Sequence, residues 1–258
     1  MIISSFNVNS VRARLVNILH WLKEFNPDVV LLQEIKTEEK NFPIIEFEDI
    51  GYNVRVSGEK AHNGVAILSK YPVEDVIYHL PTMMSDNAER YIECLINGHI
   101  RIVNIYAPNG NPVGSTKFEY KIKWYKAFKD RIYTLLQNDE DLIIAGDFNA
   151  IRNDYDVYSI TECQNDAIVN PQTRKALKEL IDLGLVDAYR KFHEHTKNVY
   201  TWWGYMAGMF QKNKGMLLDY FLLNKSAENK LIDCDIDINP RGQERPSDHT
   251  PIWIKIAE

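Results

Sequence analysis

Cysteine is scarce. The 258 residues hold three, Cys94, Cys163 and Cys234, far apart and with no CxxC pair. An odd, scattered set excludes a disulfide scaffold and a zinc ribbon, and it fits free thiols in a reducing compartment. His193 and His195 flank Glu194, but a His-x-His pair does not share a helix face, so no zinc centre is expected there. Long apolar runs are also missing. None approaches the ~18 residues a membrane span needs. The N-terminal stretch MIISSFNVNSVRAR has no apolar h-region, so no signal peptide and no membrane partner are expected, and the location reads as cytoplasmic. Glycine (12) and proline (10) are few and nowhere clustered with serine into a linker. No repeat or low-complexity stretch stands out, and residues 1–258 are expected to form a single domain. Finally, positive charge is not in excess. Lys and Arg number 30 against 36 Asp and Glu, a formal charge of −6, and on that number alone a duplex would be repelled.

What is present is a globular composition, 45% hydrophobic and 26% charged. A chain this long buries roughly 70–75% of its unfolded surface, enough for a core without staples. Short β-rich apolar runs recur at Ile2–Phe6, Val29–Leu32, Val65–Leu68, Ile100–Tyr106, Leu142–Ala145, Tyr220–Leu223 and Ile252–Ile256, with weaker ones at Val54–Ser57, Val73–Leu80 and Arg90–Ile96. Helical periodicity predicts helices at about 11–25, ended before Pro27, at Phe118–Gln137 and at Thr173–Leu183, the last followed by Gly184 as a C-cap. Asn97-Gly98 between two runs signals a hairpin. The uneven alternation of strands and helices predicts an α/β (α+β) fold with mixed rather than purely parallel sheets and helices outside.

The polar residues that end these runs carry the chemistry. Asn7 and Asn9 follow IISSF, Gln33-Glu34 follows VVLL, and Asp147 and Asn149 follow LIIAG. Asp219 opens LDYFLL, and Asp248-His249 precedes the last run. One carboxylate at a strand end is an ordinary turn or cap residue. A set of them converges, because strand ends on one sheet edge meet in the crevice where α/β proteins take ligands. Glu34, Asp147 and Asp248 with Asn7 and Asn149 would repel without a cation. Oxygen donors without sulfur point to Mg²⁺, with Mn²⁺ as the alternative, and such a cation suits Lewis-acid activation of a phosphodiester.

The blocks SFNVNSVRAR, PDVVLLQEIK, HNGVAILSK, NIYAPNG, AGDFNA, GLVDAYR, YTWWGYMAG, LLDYFLL and PSDHTPIW run almost end to end. In this order they resemble the exonuclease III family of abasic-site (AP) endonucleases, within the larger endonuclease/exonuclease/phosphatase superfamily. GDFN alone would be shared across the superfamily, whereas nine blocks in order are specific. The resemblance implies a four-layer sandwich, two mixed β-sheets packed face to face with helices outside. It implies Glu34 as the principal metal-binding glutamate, with Asn7, Asp147, Asn149, Asp248 and His249 in the wider metal and active-site set. Tyr106 matches the active-site tyrosine, His249 the active-site histidine and Asp219 the aspartate that orients it. A protonated His249, Asn149, Tyr106 and the metal would stabilise charge growing on a phosphate. Either Asp147 or a neutral His249 backed by Asp219 would serve as general base. Asp147 is preferred, since one histidine is not cationic and basic in the same step.

The family likeness also implies substrate contacts. Trp202 matches a wall of the pocket for an extruded abasic sugar, Leu218 another wall, and Met206 a side chain that inserts into the duplex. Trp203 and Tyr205 read as buried packing. Asn9, Arg12, Arg14 and Lys36 are candidate DNA contacts. Lys117–Arg131 carries six cations against two acids, which reads either as a solvated helix face or as a phosphate-contact surface. In one place the chain departs from the pattern: Leu217 stands where the family carries arginine two residues before the Asp219 position. On the sequence, restoring arginine there is expected to tighten DNA binding or leave it unchanged.

The activity this implies is Mg²⁺-dependent DNA repair, hydrolysing phosphodiesters 5′ to abasic sites in duplex DNA and removing nucleotides or blocking groups from 3′ ends, by a monomer. A phosphatase or phosphodiesterase acting on small or lipid phosphate esters would share Glu34, GDFN and SDH without needing WWGYM. An inactive DNA-binding module would have let the catalytic set decay, and it has not. The acidic balance then reflects a metal-binding cluster, and it predicts a small phosphate footprint on DNA with a shallow salt dependence.

Overall fold

The computed structural model describes residues 1–257. Twelve strands form two six-stranded sheets. The first contains β1 (Ile2–Asn7), β2 (Val29–Gln33), β3 (Asn53–Ser57), β4 (Val65–Ser69), β11 (Leu231–Ile236) and β12 (Ile252–Ile256), in the order β11-β12-β1-β2-β4-β3. The second contains β5 (Val73–Ile77), β6 (Tyr91–Ile96), β7 (Ile100–Tyr106), β8 (Asp141–Asp147), β9 (Val186–Asp187) and β10 (Asp219–Leu223), in the order β5-β6-β7-β8-β10-β9. Only β1 with β2 and β7 with β8 run parallel, so both sheets are mixed, as expected. Asn97 and Gly98 both take positive φ in the turn that joins β6 to β7, the hairpin their sequence signals.

Strand alternation builds the layers. In β2 and β4, Val29, Leu31, Val65 and Ile67 face the second sheet, while Val30, Leu32, Ala66 and Leu68 face outward. The outward row packs under α1 (Leu15–Phe25) and α2 (Ile44–Glu48) through Ile18, Trp21, Leu22 and Phe47. Beyond the second sheet lie α3 (Thr116–Leu135) and α4 (Pro171–Ile181), which bury Trp124, Tyr125, Phe128, Leu177 and Leu180. Two short helices, α5 (Ala188–Phe192) and α6 (Lys225–Lys230), flank β10. Helix, sheet, sheet, helix is the four-layer sandwich expected.

One polar bridge crosses the apolar layer between the sheets. Gln33 at the end of β2 donates through Nε2 to Asn104 Oδ1 of β7 (2.8 Å) and to Ser5 Oγ (3.1 Å). Asn104 Nδ2 in turn donates to the carbonyls of Leu32 (3.0 Å) and Ala66 (2.9 Å). Both side chains are fully buried, so their hydrogen bonds act in a low-dielectric layer, where an unmet partner is costly. The bridge lies directly behind Glu34 and Tyr106 and fixes the register of one sheet on the other.

The sequence differs from the structure at some edges. β11, LIDCDI, is not among the expected strands: two acids interrupt its pattern, and it is an edge strand with one well-buried residue, Cys234. The α4 helix ends at Ile181 with Asp182 as its C-cap. Gly184 follows two residues later with φ 102, just before Leu185 closes back onto Ile181 O. Among the described residues no helix is long and apolar enough to cross a membrane.

Candidate active site

The register of the two sheets brings the strand-end residues together. Asn7 lies opposite Gln33 across β1–β2, next to Glu34. In the second sheet Asp147 is the register partner of Tyr106 on one side and of Asp219 on the other. Gly146 makes that approach possible. A Cβ there would sit 2.0 Å from Ile105 O, and its φ of 141 is one L side chains rarely adopt.

Asp147 is the hub. Its Oδ2 accepts from Asn7 Nδ2 (2.9 Å) and Asn149 Nδ2 (3.3 Å) and lies 3.6 Å from His249 Nε2. Its Oδ1 accepts from the Asn149 backbone N–H (2.8 Å). Asn7 Nδ2 also donates to Glu34 Oε1 (2.9 Å). One oxygen or nitrogen from each of Glu34, Asp147 and His249 falls within 4.8 Å of the others. Asn9, Glu34, Lys36 and Asn149 all have φ between 43 and 53, the left-handed region costly for residues with a Cβ. Such strain gathered in one place is typical of functional sites.

His249 Nδ1 bonds to Asp219 Oδ2 at 2.8 Å, and both groups are buried. Burial opposes the imidazolium, but Asp219 and then Asp147 outweigh it and raise the histidine pKa well above its usual range. Burial also raises Asp147, with Asp219 and Glu34 adding to the rise and His249 opposing it. Tyr106 is raised by burial and by Glu34 and Asp147, so its phenol stays a donor. Arg90 stacks on the Tyr106 ring at 4.9 Å and donates to its carbonyl (3.2 Å), a partner no sequence motif marked.

The remaining expected residues surround this hub. The two oxygens of Asp248 accept from Asn9 Nδ2 (2.9 Å) and Trp202 Nε1 (3.1 Å), so its carboxylate stands behind the Glu34–Asp147–His249 group. Lys36 Nζ lies 2.8 Å from Glu34 Oε2 and donates to Asn9 Oδ1 (2.5 Å). Arg12 is exposed near the start of α1. Trp202 is bridged to His249 and Met216 and packs against an apolar cluster with Met216, Leu218, Val157 and Ile168. Met206 is 81% exposed at the tip of a short turn.

Three expectations change. Trp203 is buried, as expected, but Tyr205 is 51% exposed, not core packing. Its hydroxyl donates to Pro246 O and accepts from Asn9 and Arg14, which fastens the loop from outside. Leu217 is fully buried in the main core, so no guanidinium would reach DNA from there. The basic stretch of α3 is neither a wholly solvated face nor a wholly free phosphate surface. Lys129 pairs with Glu179, Arg131 with Glu93, and Lys121 is buried, leaving Lys117, Lys123 and Lys126 exposed.

The donor set suits a hard divalent cation. The Glu34 and Asp147 carboxylates lie close together beside the His249 ring, and Asp219 Oδ1 is buried without a partner. Residues 4–249 match the Endonuclease/Exonuclease/phosphatase family. The chain belongs to that family. It is 30% identical to Exodeoxyribonuclease III of Haemophilus influenzae over 262 aligned positions, covering 98% of each. An AP endonuclease from Archaeoglobus fulgidus has the same fold, with a TM-score of 0.95, 35% identity and all of both chains covered. A Neisseria structure described as the 3′ phosphatase NExo, a variant bound to a product DNA hairpin, gives 0.96 at 32% identity, again over all of both chains. With these relatives the chain is a nuclease of that family, and Glu34, Asp147 and His249 form a group that could hold a metal ion.

Proposed function

We propose that the chain is a Mg²⁺-dependent DNA-repair nuclease that hydrolyses the phosphodiester 5′ to an abasic site in duplex DNA, and that it also trims nucleotides and blocking groups from 3′ ends. The observation that carries this reading is the Glu34–Asp147–His249 convergence beside Trp202, a half-buried indole backed by the buried Met216 and Leu218. An apolar ring beside a phosphoester site suits a sugar that has no base to hydrogen-bond. A small-ester phosphatase would have no need of it, or of Met206 at the loop tip.

The residues divide the work. Glu34 and Asp147 would hold the cation through carboxylate oxygens, with Asn7 Nδ2 orienting both carboxylates, Asn149 beside them and Asp248 fixing Asn9 and Trp202. When bound, the cation polarises the phosphate and offsets its charge. An imidazolium has no lone pair to offer a metal, so a His249 kept protonated by Asp219 faces the phosphate instead. Tyr106 and Asn149 add neutral donors aimed at the same oxygens. Asp147, at the centre of the site beside His249, takes the proton from the attacking water. Water adds to phosphorus and the bond to the upstream O3′ breaks, leaving a 3′-hydroxyl and a 5′-phosphate on the abasic residue. Asn9, Arg12 and Lys36 line the approach of the DNA backbone.

The test is a labelled duplex with one tetrahydrofuran residue, incubated with Mg²⁺ and with EDTA, beside a small phosphomonoester. Metal-dependent incision at the tetrahydrofuran residue is expected. Phosphate release from the ester without incision would transfer the reading to the phosphatase branch of the family, and binding without turnover would leave a DNA-binding module.

A further inference from the structure

Among the buried cations that the mechanism leaves unused, one has no acid partner beside the active-site loops. Lys121, on the second turn of α3, is fully buried. Its ammonium has no carboxylate at hydrogen-bond distance. Instead Nζ donates to two backbone carbonyls, Asn109 O (2.9 Å) and Asn149 O (2.6 Å). Those carbonyls belong to the two loops that follow β7 and β8, the strands that end in Tyr106 and Asp147. Burying a charge on so few partners is expensive, so Lys121 is more than a space-filler between these loops.

The space is shaped for this side chain. Gly110 takes φ +84, and a Cβ there would lie 2.5 Å from Lys121 Cδ. Further contacts join the same loops. Asn149 Nδ2 donates to Ala107 O (2.9 Å), and Asn109 Nδ2 donates to Asn149 Oδ1 (3.3 Å). Tyr125, one turn further along α3, donates its hydroxyl to Phe148 O. Asn149 itself sits at φ 47, so its backbone needs holding from outside.

We propose that Lys121 is a positioning residue for phosphodiester hydrolysis: its ammonium clamps the Asn109 and Asn149 carbonyls together and so sets the Asn149 carboxamide and the Asp147 carboxylate against the scissile phosphate. The inference rests on the nuclease reading above. It acts on the chemical step rather than on DNA affinity, because the ammonium and its bond to the Asn149 carbonyl are buried. Misplacement of a reacting group by about 1 Å costs on the order of 100-fold in rate.

The experiment compares the parent chain with Lys121→Met and Lys121→Arg on a tetrahydrofuran-containing duplex. Single-turnover rate constants are taken at saturating enzyme with Mg²⁺, where an inactive fraction does not alter the constant, and duplex Kd is measured in EDTA. Lys121→Met is expected to slow incision by roughly 30–100-fold, with Kd within about threefold of the parent, and Lys121→Arg to recover most of the rate by restoring the charge. The proposal is overturned if Lys121→Met incises within about threefold of the parent, if the loss lies in Kd, or if the arginine chain is as slow as the methionine chain. Should Lys121→Met not fold, Lys121→Gln takes its place, with a loss in the same direction and the same limits. The parent chain tests the nuclease reading in the same tubes. If it does not incise, that reading fails, whereas the ratio of variant to parent bears on Lys121 alone.

Discussion

His249 stands between two carboxylates, with Nδ1 2.8 Å from Asp219 Oδ2 and Nε2 3.6 Å from Asp147 Oδ2. All three side chains are buried. Neither acid is exposed enough for water to screen it, so the charge on the ring depends on both. In the proposed mechanism Asp219 orients the ring and holds its charge, and Asp147 faces the substrate, so that one buried histidine separates an orienting acid from a reacting one.

The Asp219 relationship has a pH signature. Asp219→Asn removes the strongest group holding the proton on His249, while burial, which opposes that proton, remains. The histidine pKa then falls. The alkaline limb of the single-turnover pH profile, where the imidazolium is lost, is expected to move down by about one pH unit or more. The stability that the pair contributes follows the same proton. It is present in full below the ordinary histidine pKa and disappears as pH rises through the raised one. An unmoved alkaline limb in Asp219→Asn would detach His249 from that limb.

Metal should stabilise the fold, and more so above neutral pH. Without a cation, the raised Asp147 is a cost that grows as pH climbs from the unfolded carboxylate range through its raised native value. A ligand at 100 times its Kd adds about 2.7 kcal/mol, which is roughly 5–10 °C in Tm for a chain of this size. Mg²⁺ is therefore expected to raise Tm by several degrees at pH 8 and by little at pH 5, where protons compete for the ligands. Calorimetry in Mg²⁺ and in EDTA at both pH values measures this, and an equal shift at both would move the cation away from Asp147.

Leu217→Arg is expected to damage the fold instead of improving DNA binding. The residue is fully buried in the main core, among apolar side chains. An unpaired guanidinium there costs about 3 kcal/mol or more, or roughly 6–12 °C in Tm. Thermal unfolding checks it. A variant as stable as the parent would show that the arginine escapes to the surface.

Trp202→Ala should weaken the preference for abasic over intact duplex. The indole is held by Asp248 at 3.1 Å and packs against Met216 and Leu218. Its loss is expected to lower kcat/KM on the tetrahydrofuran duplex by roughly tenfold, about 1.4 kcal/mol, with a smaller effect on 3′-end trimming. Equal losses on both substrates would place Trp202 in general DNA binding. The salt dependence of that binding should be shallow, since half of the basic stretch in α3 is consumed inside the protein. With about 3 or 4 phosphates neutralised, the slope of log K against log salt is expected near −3, and a slope near −6 or steeper would contradict so small a footprint.

Much of this is legible in the sequence, for reasons particular residues make plain. Ile100–Tyr106 and Ile252–Ile256 are strands over the very residues their apolar runs span, the first buried along nearly its whole length and the second alternating buried isoleucines with Trp253 and Lys255. Asn7, Glu34, Asp147 and Asp219 meet because each ends or opens such a run, and strand ends share an edge. Lys121 is not legible as a clamp. Its type and its helix promise solvent, and only the approach of two loops to one face of α3 turns it inward. Tyr205 misleads for the opposite reason. An aromatic amid aromatics promises the core, yet its hydroxyl finds Arg14 and Pro246 at the surface. Gln33 and Asn104 lie within apolar strands, where only the facing sheet reveals that each is the other's partner.

In the proposed mechanism water adds to phosphorus at Asp147 in a metal-dependent step, and the oxygen it delivers can be traced. A tetrahydrofuran duplex is incised in ¹⁸O water and both fragments are read by mass spectrometry. Expected are one ¹⁸O on the 5′-phosphate of the abasic fragment, an unlabelled 3′-hydroxyl on the other, and no cut in EDTA or with Asp147→Asn beyond a residue roughly 100-fold or more below the parent. Label on the 3′ fragment, or incision at parent rates in EDTA, would contradict it.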